Sequence, residues 1–192
     1  PGTKIMVYYP VDGVSPMQKL QMVTQEGKNV EVVAIRGNFD DAQSAVKRIF
    51  TDEDTRAALD KDGMMLSSAN SINWGRLAPQ IAYYVSAYCD MVAAGTIAQG
   101  DKINVCVPTG NFGNILAAYI AKKMGLPVNK FICASNRNNV LTDFFKKGGE
   151  YNRNRDFFTT TSPSMDILIS SNLERLLFFA SDFNDTASVY WG

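Results

Sequence analysis

The 192 residues are enough for one domain or two small lobes, and 46% apolar with 20% charged residues is ordinary for a soluble globular chain. Nineteen basic residues balance nineteen acidic ones, which excludes the basic excess of a nucleic-acid-binding domain but not a local anion site. The chain has no histidine, so Ser-His-Asp catalysis, a Cys-His pair and a His-ligated metal site cannot come from it, and no metal site is expected.

Lys4 to Tyr9 is a β-rich apolar run stopped by Pro10. Ser15 as N-cap with Pro16 behind it predicts a helix to about Gln25, ended by Gly27. Val30 to Ile35 is a second strand. Asp40 and Asp41 precede a helix over Ala42 to Phe50, which the charged stretch Thr51 to Asp62 extends, with Asp52-Glu53-Asp54 as a solvated face. Met64 to Ser68 is a third, short strand. Trp74 to about Ala94 is one long helix on which Tyr83, Tyr84 and Tyr88 pack. The apolar run Ile81 to Ala98, interrupted by Ser86, Asp90, Gly95 and Thr96, is expected as a buried helix and not a membrane span.

Lys102 to Val107 is the fourth strand, and Phe112 to Met124 a helix closed by Gly125 and Pro127. Lys130 to Ala134 is the fifth strand, Val140 to Lys147 a short helix, Tyr151 to Met165 a polar loop and Asn172 to Ala180 a last helix. Ser181 to Gly192 receives no assignment. Strands separated by helices mean right-handed βαβ units and a parallel sheet, hence an α/β fold with three layers, α/β/α. A lobe boundary is expected within Asn70 to Gly100, dividing the chain into 1–74 and 75–192. Cys89, Cys106 and Cys133 are widely spaced in apolar stretches and predict buried, reduced thiols in a cytoplasmic protein. The opening Pro1-Gly2-Thr3-Lys4 has neither a secretory pattern nor an initiator Met and reads as the start of an excised or an artificially trimmed piece.

Ligands of open α/β sheets bind at the carboxyl ends of strands. The fourth strand ends in Thr109-Gly110-Asn111-Phe112-Gly113-Asn114 and a helix follows at once. Glycines permit a sharp turn and close approach, and the first-turn N–H groups have no intrahelical partner, so the loop predicts an anion site suited to phosphate. It is not G-x-G-x-x-G, and Gly95 to Lys102 fails as a P-loop because Asp101 stands where Lys is required. The third strand end, Asn70-Ser71-Ile72-Asn73, reads as N-capping of the following helix, and because it has more small polar side chains than one cap needs, a second polar or anion contact stays open, with Arg76 beside it.

These same residues carry a resemblance. Ser68-Ala69-Asn70-Ser71-Ile72-Asn73, Arg76-Leu77-Ala78-Pro79-Gln80 and Val107-Pro108-Thr109-Gly110-Asn111-Phe112-Gly113-Asn114 resemble threonine synthase, a pyridoxal-phosphate enzyme of fold type II. Tyr8-Tyr9-Pro10 followed by Val14-Ser15-Pro16-Met17-Gln18 is similar to the family's corresponding strand and helix. The likeness runs from about Lys4 to about Asp166 and fades after Ile169. It implies a lyase that converts O-phosphohomoserine and water to threonine and phosphate, with the cofactor as electron sink. It implies that Gly110, Asn111, Phe112, Gly113 and Asn114 hold the cofactor phosphate, and that Ser71 and Asn114 face the substrate phosphate. The family's Schiff-base lysine lies upstream in an aromatic-Lys-Asp context. Lys61-Asp62 follows Leu59-Asp60 in a charged connector and reads as a surface lysine, so no catalytic residue is assigned. The resemblance therefore implies an internal segment, inert alone: the later part of a smaller lobe (1–74) and the first part of a larger, cofactor-phosphate-binding lobe (75–192). Its partner would be a small-molecule substrate, not nucleic acid or membrane. Read from the residues alone, a non-catalytic phosphate- or nucleotide-binding α/β domain stays open. A receiver or flavodoxin-like module does not, because only Asp12 is acidic among the strand ends and the loop follows the fourth strand, not the first.

Overall fold

Two parallel strand pairs carry the α/β alternation. The computed structural model describes residues 2–181, apart from the side chains of Phe39, Asp40 and Pro163, and it divides into two compact units between Ser67 and Ser68. Ser71 belongs to the same unit as the glycine loop. The unassigned tail beyond Ser181 lies outside the described residues.

In the first unit, β1 (Ile5–Pro10) pairs in parallel with β2 (Val30–Ile35), from Ile5 opposite Val30 to Pro10 opposite Ile35. Three helices follow local signals. α1 (Pro16–Val23) starts on a capping box between Ser15 and Gln18. α2 (Phe39–Thr51) starts on a second box between Asn38 and Asp41. α3 (Glu53–Lys61) is a separate helix and not an extension, because Asp52 adopts an extended conformation and caps it. Asp52, Glu53 and Asp54 are exposed, as a solvated face requires, and Asp52 is a cap besides. The hydroxyl of Thr55, and then its amide, donate to the Asp52 carboxylate and hold it below the ordinary value of 3.8. The Asp52 contribution is therefore present above that value and is lost as pH falls through the lowered one. Asp52→Ala is expected to lower the thermal midpoint at neutral pH, with wild type and variant converging in acid. Melting curves over a pH series check this, and a gap that persists unchanged into strong acid contradicts it.

The expected third strand does not form. Residues 64–68 are irregular, with Met65 89% exposed. Met64 is used in closing α3: its amide donates to Leu59 O at 2.9 Å while that of Gly63, at φ +65°, donates to Asp60 O at 3.0 Å.

The second unit holds the principal core. α4 (Trp74–Leu77), a 3₁₀ turn (Ala78–Gln80) and α5 (Ile81–Ala93) replace the single long helix, since Pro79 lacks an N–H and breaks the ladder. Then come β3 (Ile103–Pro108), α6 (Gly113–Lys123), β4 (Val128–Ala134), α7 (Val140–Lys146), a 3₁₀ turn (Pro163–Met165) and α8 (Leu173–Ala180). β3 and β4 pair in parallel with an irregularity between Ile103 and Val105. α6 lies at the centre, with Ile115, Leu116, Ala117, Ala118 and Ala121 buried, and packs with Leu77, Val105, Val107, Val140, Leu141, Phe144 and Leu173.

Two burial expectations fail. α5 buries only Tyr88, and Tyr83 is 61% exposed. Among the described residues no helix is long and apolar enough to cross a membrane. Cys89 and Cys106 are exposed and Cys133 is half-buried, although all three are free thiols. Cys106 is exposed because β3 alternates, turning Val105 and Val107 to the core and Cys106 away. Burial pushes the Cys133 thiol up.

Candidate functional site

β3 delivers the chain into the glycine loop, and Thr109 keeps its last tie to β4 by donating its backbone N–H to Ala134 O at 2.8 Å. The reversal that follows is made by Phe112, with φ +62° and ψ 7°. It is the one non-glycine residue in the left-handed region among the described residues. Burial secures it: the ring is 4% exposed, belongs to the core and lies 6.3 Å from that of Phe145. The glycines have a different task from the sharp turn expected of them. Neither Gly110 nor Gly113 has a positive φ. A Cβ on Gly110 would lie 2.8 Å from Ile167 Cδ1, and one on Gly113 would lie 2.7 Å from both Cβ and Oγ of Ser71. They permit close approach.

α6 starts at Gly113, so the amides of its first turn have no intrahelical acceptor. Among the described residues the amides of Gly110 to Ile115 donate no hydrogen bond. Ser71 and Gly110, Asn111, Phe112, Gly113 and Asn114, all expected from the sequence, line one cavity of about 140 Å³ together with Gln80. A ring of unpaired N–H donors at the positive end of a helix suits an anion, and the absence of Cβ at two positions brings Ser71 and Ile167 against it. The residues present therefore fit a phosphate group.

The neighbouring polar cluster divides its labour. Asn73 caps α4 through Gly75 N at 2.9 Å, and Asn70 accepts from Ile72 N at 3.2 Å in a local turn. Ser71 alone reaches the cavity. Arg76 does not line it; its Nε donates to Ala69 O at 2.9 Å.

Tyr84 packs against the core, as expected, and also bonds to a residue that lines the cavity. Its hydroxyl donates to Asn114 Oδ1 at 2.5 Å, while Asn114 Nδ2 donates to Gln80 Oε1 at 2.9 Å and Gln80 Nε2 to Arg76 O at 2.8 Å. These bonds run in one direction and fix the orientation of both amides, leaving Asn114 one N–H unspent. Burial pushes the Tyr84 hydroxyl up from 10.0 to about 12, so it remains a donor at every ordinary pH. Stability tied to it is full below 10 and declines as pH rises towards 12. Tyr84→Phe is expected to lower stability by about 1 kcal/mol and to flatten that alkaline decline, measurable by urea unfolding at graded pH. An identical alkaline slope in the variant counts against it.

Sequence reading also missed the segment before α8. Ser170 Oγ donates to Gly110 O at 2.7 Å, and Asn172 donates to Asn111 O through N and Nδ2, both at 3.0 Å. The segment is anchored by Asp166, whose carboxylate accepts from Asn136 at 2.7 Å, Asn138 at 3.0 Å and both donors of Thr160. The run Ser170-Ser171-Asn172 ahead of an apolar helix was the available signal, and it reads as an ordinary cap. A larger concavity of about 570 Å³ between α7 and the 150–158 stretch mixes Arg137, Lys147 and Arg155 with Asp143, Glu150 and Asp156. Arg155 is already committed to Asp143 and Asn139 there, at 2.8 Å each.

No protein-family model matches the chain. It is 53% identical over 174 residues to human threonine synthase-like 1, covering 90% of this chain and 23% of that protein. It is 44% identical over 175 residues to threonine synthase of Eremothecium gossypii, covering 91% of this chain and 32% of that protein. The fold matches the crystal structure of pyridoxal-phosphate-bound threonine synthase from Brucella melitensis with TM-score 0.76 and 43% identity, over 100% of this chain and 38% of that one. The chain is homologous to part of threonine synthase. It spans about a quarter to two fifths of the relatives it matches. The threonine synthase likeness covers both units, and the α/β class with parallel pairing agrees with it.

Proposed function

We propose that the Gly110–Asn114 loop holds the phosphate of pyridoxal phosphate, in a protein that converts O-phosphohomoserine and water to threonine and phosphate. The observation that carries this reading is the set of unpaired amides from Gly110 to Ile115 at the end of β3, in a chain whose relative of known structure binds that cofactor. Bound there, the cofactor supplies an electron sink for proton loss next to its attachment point. The chain's own residues bind and orient: the loop amides take phosphate oxygens, the left-handed turn at Phe112 presents them, and Ile167 covers Gly110. Ser71 Oγ and the unspent N–H of Asn114 face the substrate phosphate in this reading. In this reading the described residues divide between a smaller and a larger lobe of the parent, and the purified 192-residue chain is expected to form no threonine. Free thiols accord with a cytoplasmic setting.

The test is a titration of the full-length gene product with pyridoxal phosphate and, separately, with inorganic phosphate, followed through backbone amide resonances. Shifts that include Gly110 to Ile115 are expected from both ligands. A cofactor that binds without moving them ends this assignment. Phosphate binding with no cofactor binding points instead to the non-catalytic phosphate-binding domain.

A further inference from the structure

We propose that Ser170 and Asn172 are positioning residues that aim the amide donors of the glycine loop. The inference rests on the anion-binding reading of that loop. In a planar trans peptide the N–H points opposite to the C=O. Ser170 Oγ, 2.7 Å from Gly110 O, therefore turns the Asn111 N–H away from residue 170. Asn172, with two bonds of 3.0 Å to Asn111 O, turns the Phe112 N–H the same way. Leu116 N at 3.1 Å from Phe112 O completes the set for the Gly113 N–H. Ser170 and Asn172 are buried and neither lines the cavity, whereas Asn111, Phe112 and Gly113 do. The carbonyls are drawn to one side, and the donors are left to the other.

Arg175 makes the arrangement one-way. Arginine only donates, and its Nη1 lies 3.0 Å from Asn172 Oδ1, so the Asn172 amide must present Nδ2 to Asn111 O and to Ser71 Oγ, the latter at 3.0 Å. The same guanidinium holds the carbonyls of Ser71 and Ile72. One turn of α8 thus fastens the Ser71 stretch and the glycine loop together from behind.

The experiment uses the full-length gene product, with inorganic phosphate as probe. Ser170→Ala removes one carbonyl anchor without changing charge. Asn172→Asp keeps the shape and the backbone donor, but its ionised side chain cannot donate. Phosphate affinity and the Asn111 and Phe112 amide shifts are read well below the unfolding midpoint, with urea stability measured in parallel. Ser170→Ala is expected to weaken phosphate binding roughly three- to tenfold and to shrink the phosphate-induced Asn111 shift; Asn172→Asp weakens it further. If both variants lose stability yet bind phosphate as wild type does, the residues merely support the fold and the inference is overturned. Should Asn172→Asp fail to fold, Ser170→Ala decides alone. Wild-type protein that binds no phosphate overturns the site itself, and this inference with it.

Discussion

Gly113→Ala is expected to reduce phosphate affinity by at least about tenfold and to destabilise the second unit. Two effects oppose each other. Gly113 has no positive φ, so alanine can adopt its backbone, and the lost freedom of the unfolded chain would stabilise the protein by about 0.4–1 kcal/mol. Against this, the new Cβ meets Ser71 Cβ and Oγ at 2.7 Å, and overpacking of this kind costs about 1–3 kcal/mol. Ser71 cannot swing aside as a flexible tip would: the contact is at its Cβ, and Arg175 holds its carbonyl at 3.0 Å. The clash wins, and it separates two stretches that line the same cavity. Urea unfolding and phosphate titration of one sample measure both consequences. A variant as stable and as avid as wild type would mean that Ser71 yields freely.

Leu116→Ala carries the largest expected loss of stability, about 2–5 kcal/mol. Leu116 is 0% exposed within the main core, one turn past Gly113. Against a usual net stability of about 5–15 kcal/mol that is a large fraction. The cavity left behind cannot collapse readily, because Leu116 belongs to a cluster whose other members Leu77, Leu141 and Leu173 are themselves fully buried and packed. Leu116→Met, nearly equal in volume, should cost less than about 1.5 kcal/mol. Unlike Gly113→Ala, the alanine variant should keep the phosphate affinity of its folded fraction nearer to wild type, since no cavity-lining residue changes. Equal losses of affinity in the two variants would contradict this separation of core from site.

The sequence was legible wherever a local rule decides the outcome. β-Branched runs marked β2, Ser15-Pro16 marked α1, and the glycine-bearing stretch after β3 marked the turn that opens α6. It was illegible where long-range contact decides. Nothing local distinguishes Tyr84 from Tyr83, yet one is bonded to Asn114 and the other is exposed. Ser170 and Asn172 are 60 and 61 residues from their partners Gly110 and Asn111, and only tertiary structure brings them together. Met64 to Ser68 failed for the opposite reason: an apolar run resembles a strand until the helix before it needs its amide for closure. The left-handed turn went to Phe112 despite flanking glycines, because the core holds that ring.

Under the proposed phosphate assignment, the left-handed Phe112 links ligand capture and folding in a single equilibrium. A bulky residue in that backbone region costs on the order of 1–3 kcal/mol, and the loop retains its shape only while the ring stays in the core. A short peptide of the loop sequence will therefore not reproduce the site. Conversely, any anion that occupies the amides adds to the stability of the whole second unit, by about 2.7 kcal/mol at a hundredfold excess over its dissociation constant. A heated sample should report its own ligand: the melting temperature climbs with the logarithm of phosphate concentration, without a plateau, as long as the site exists only in the folded chain.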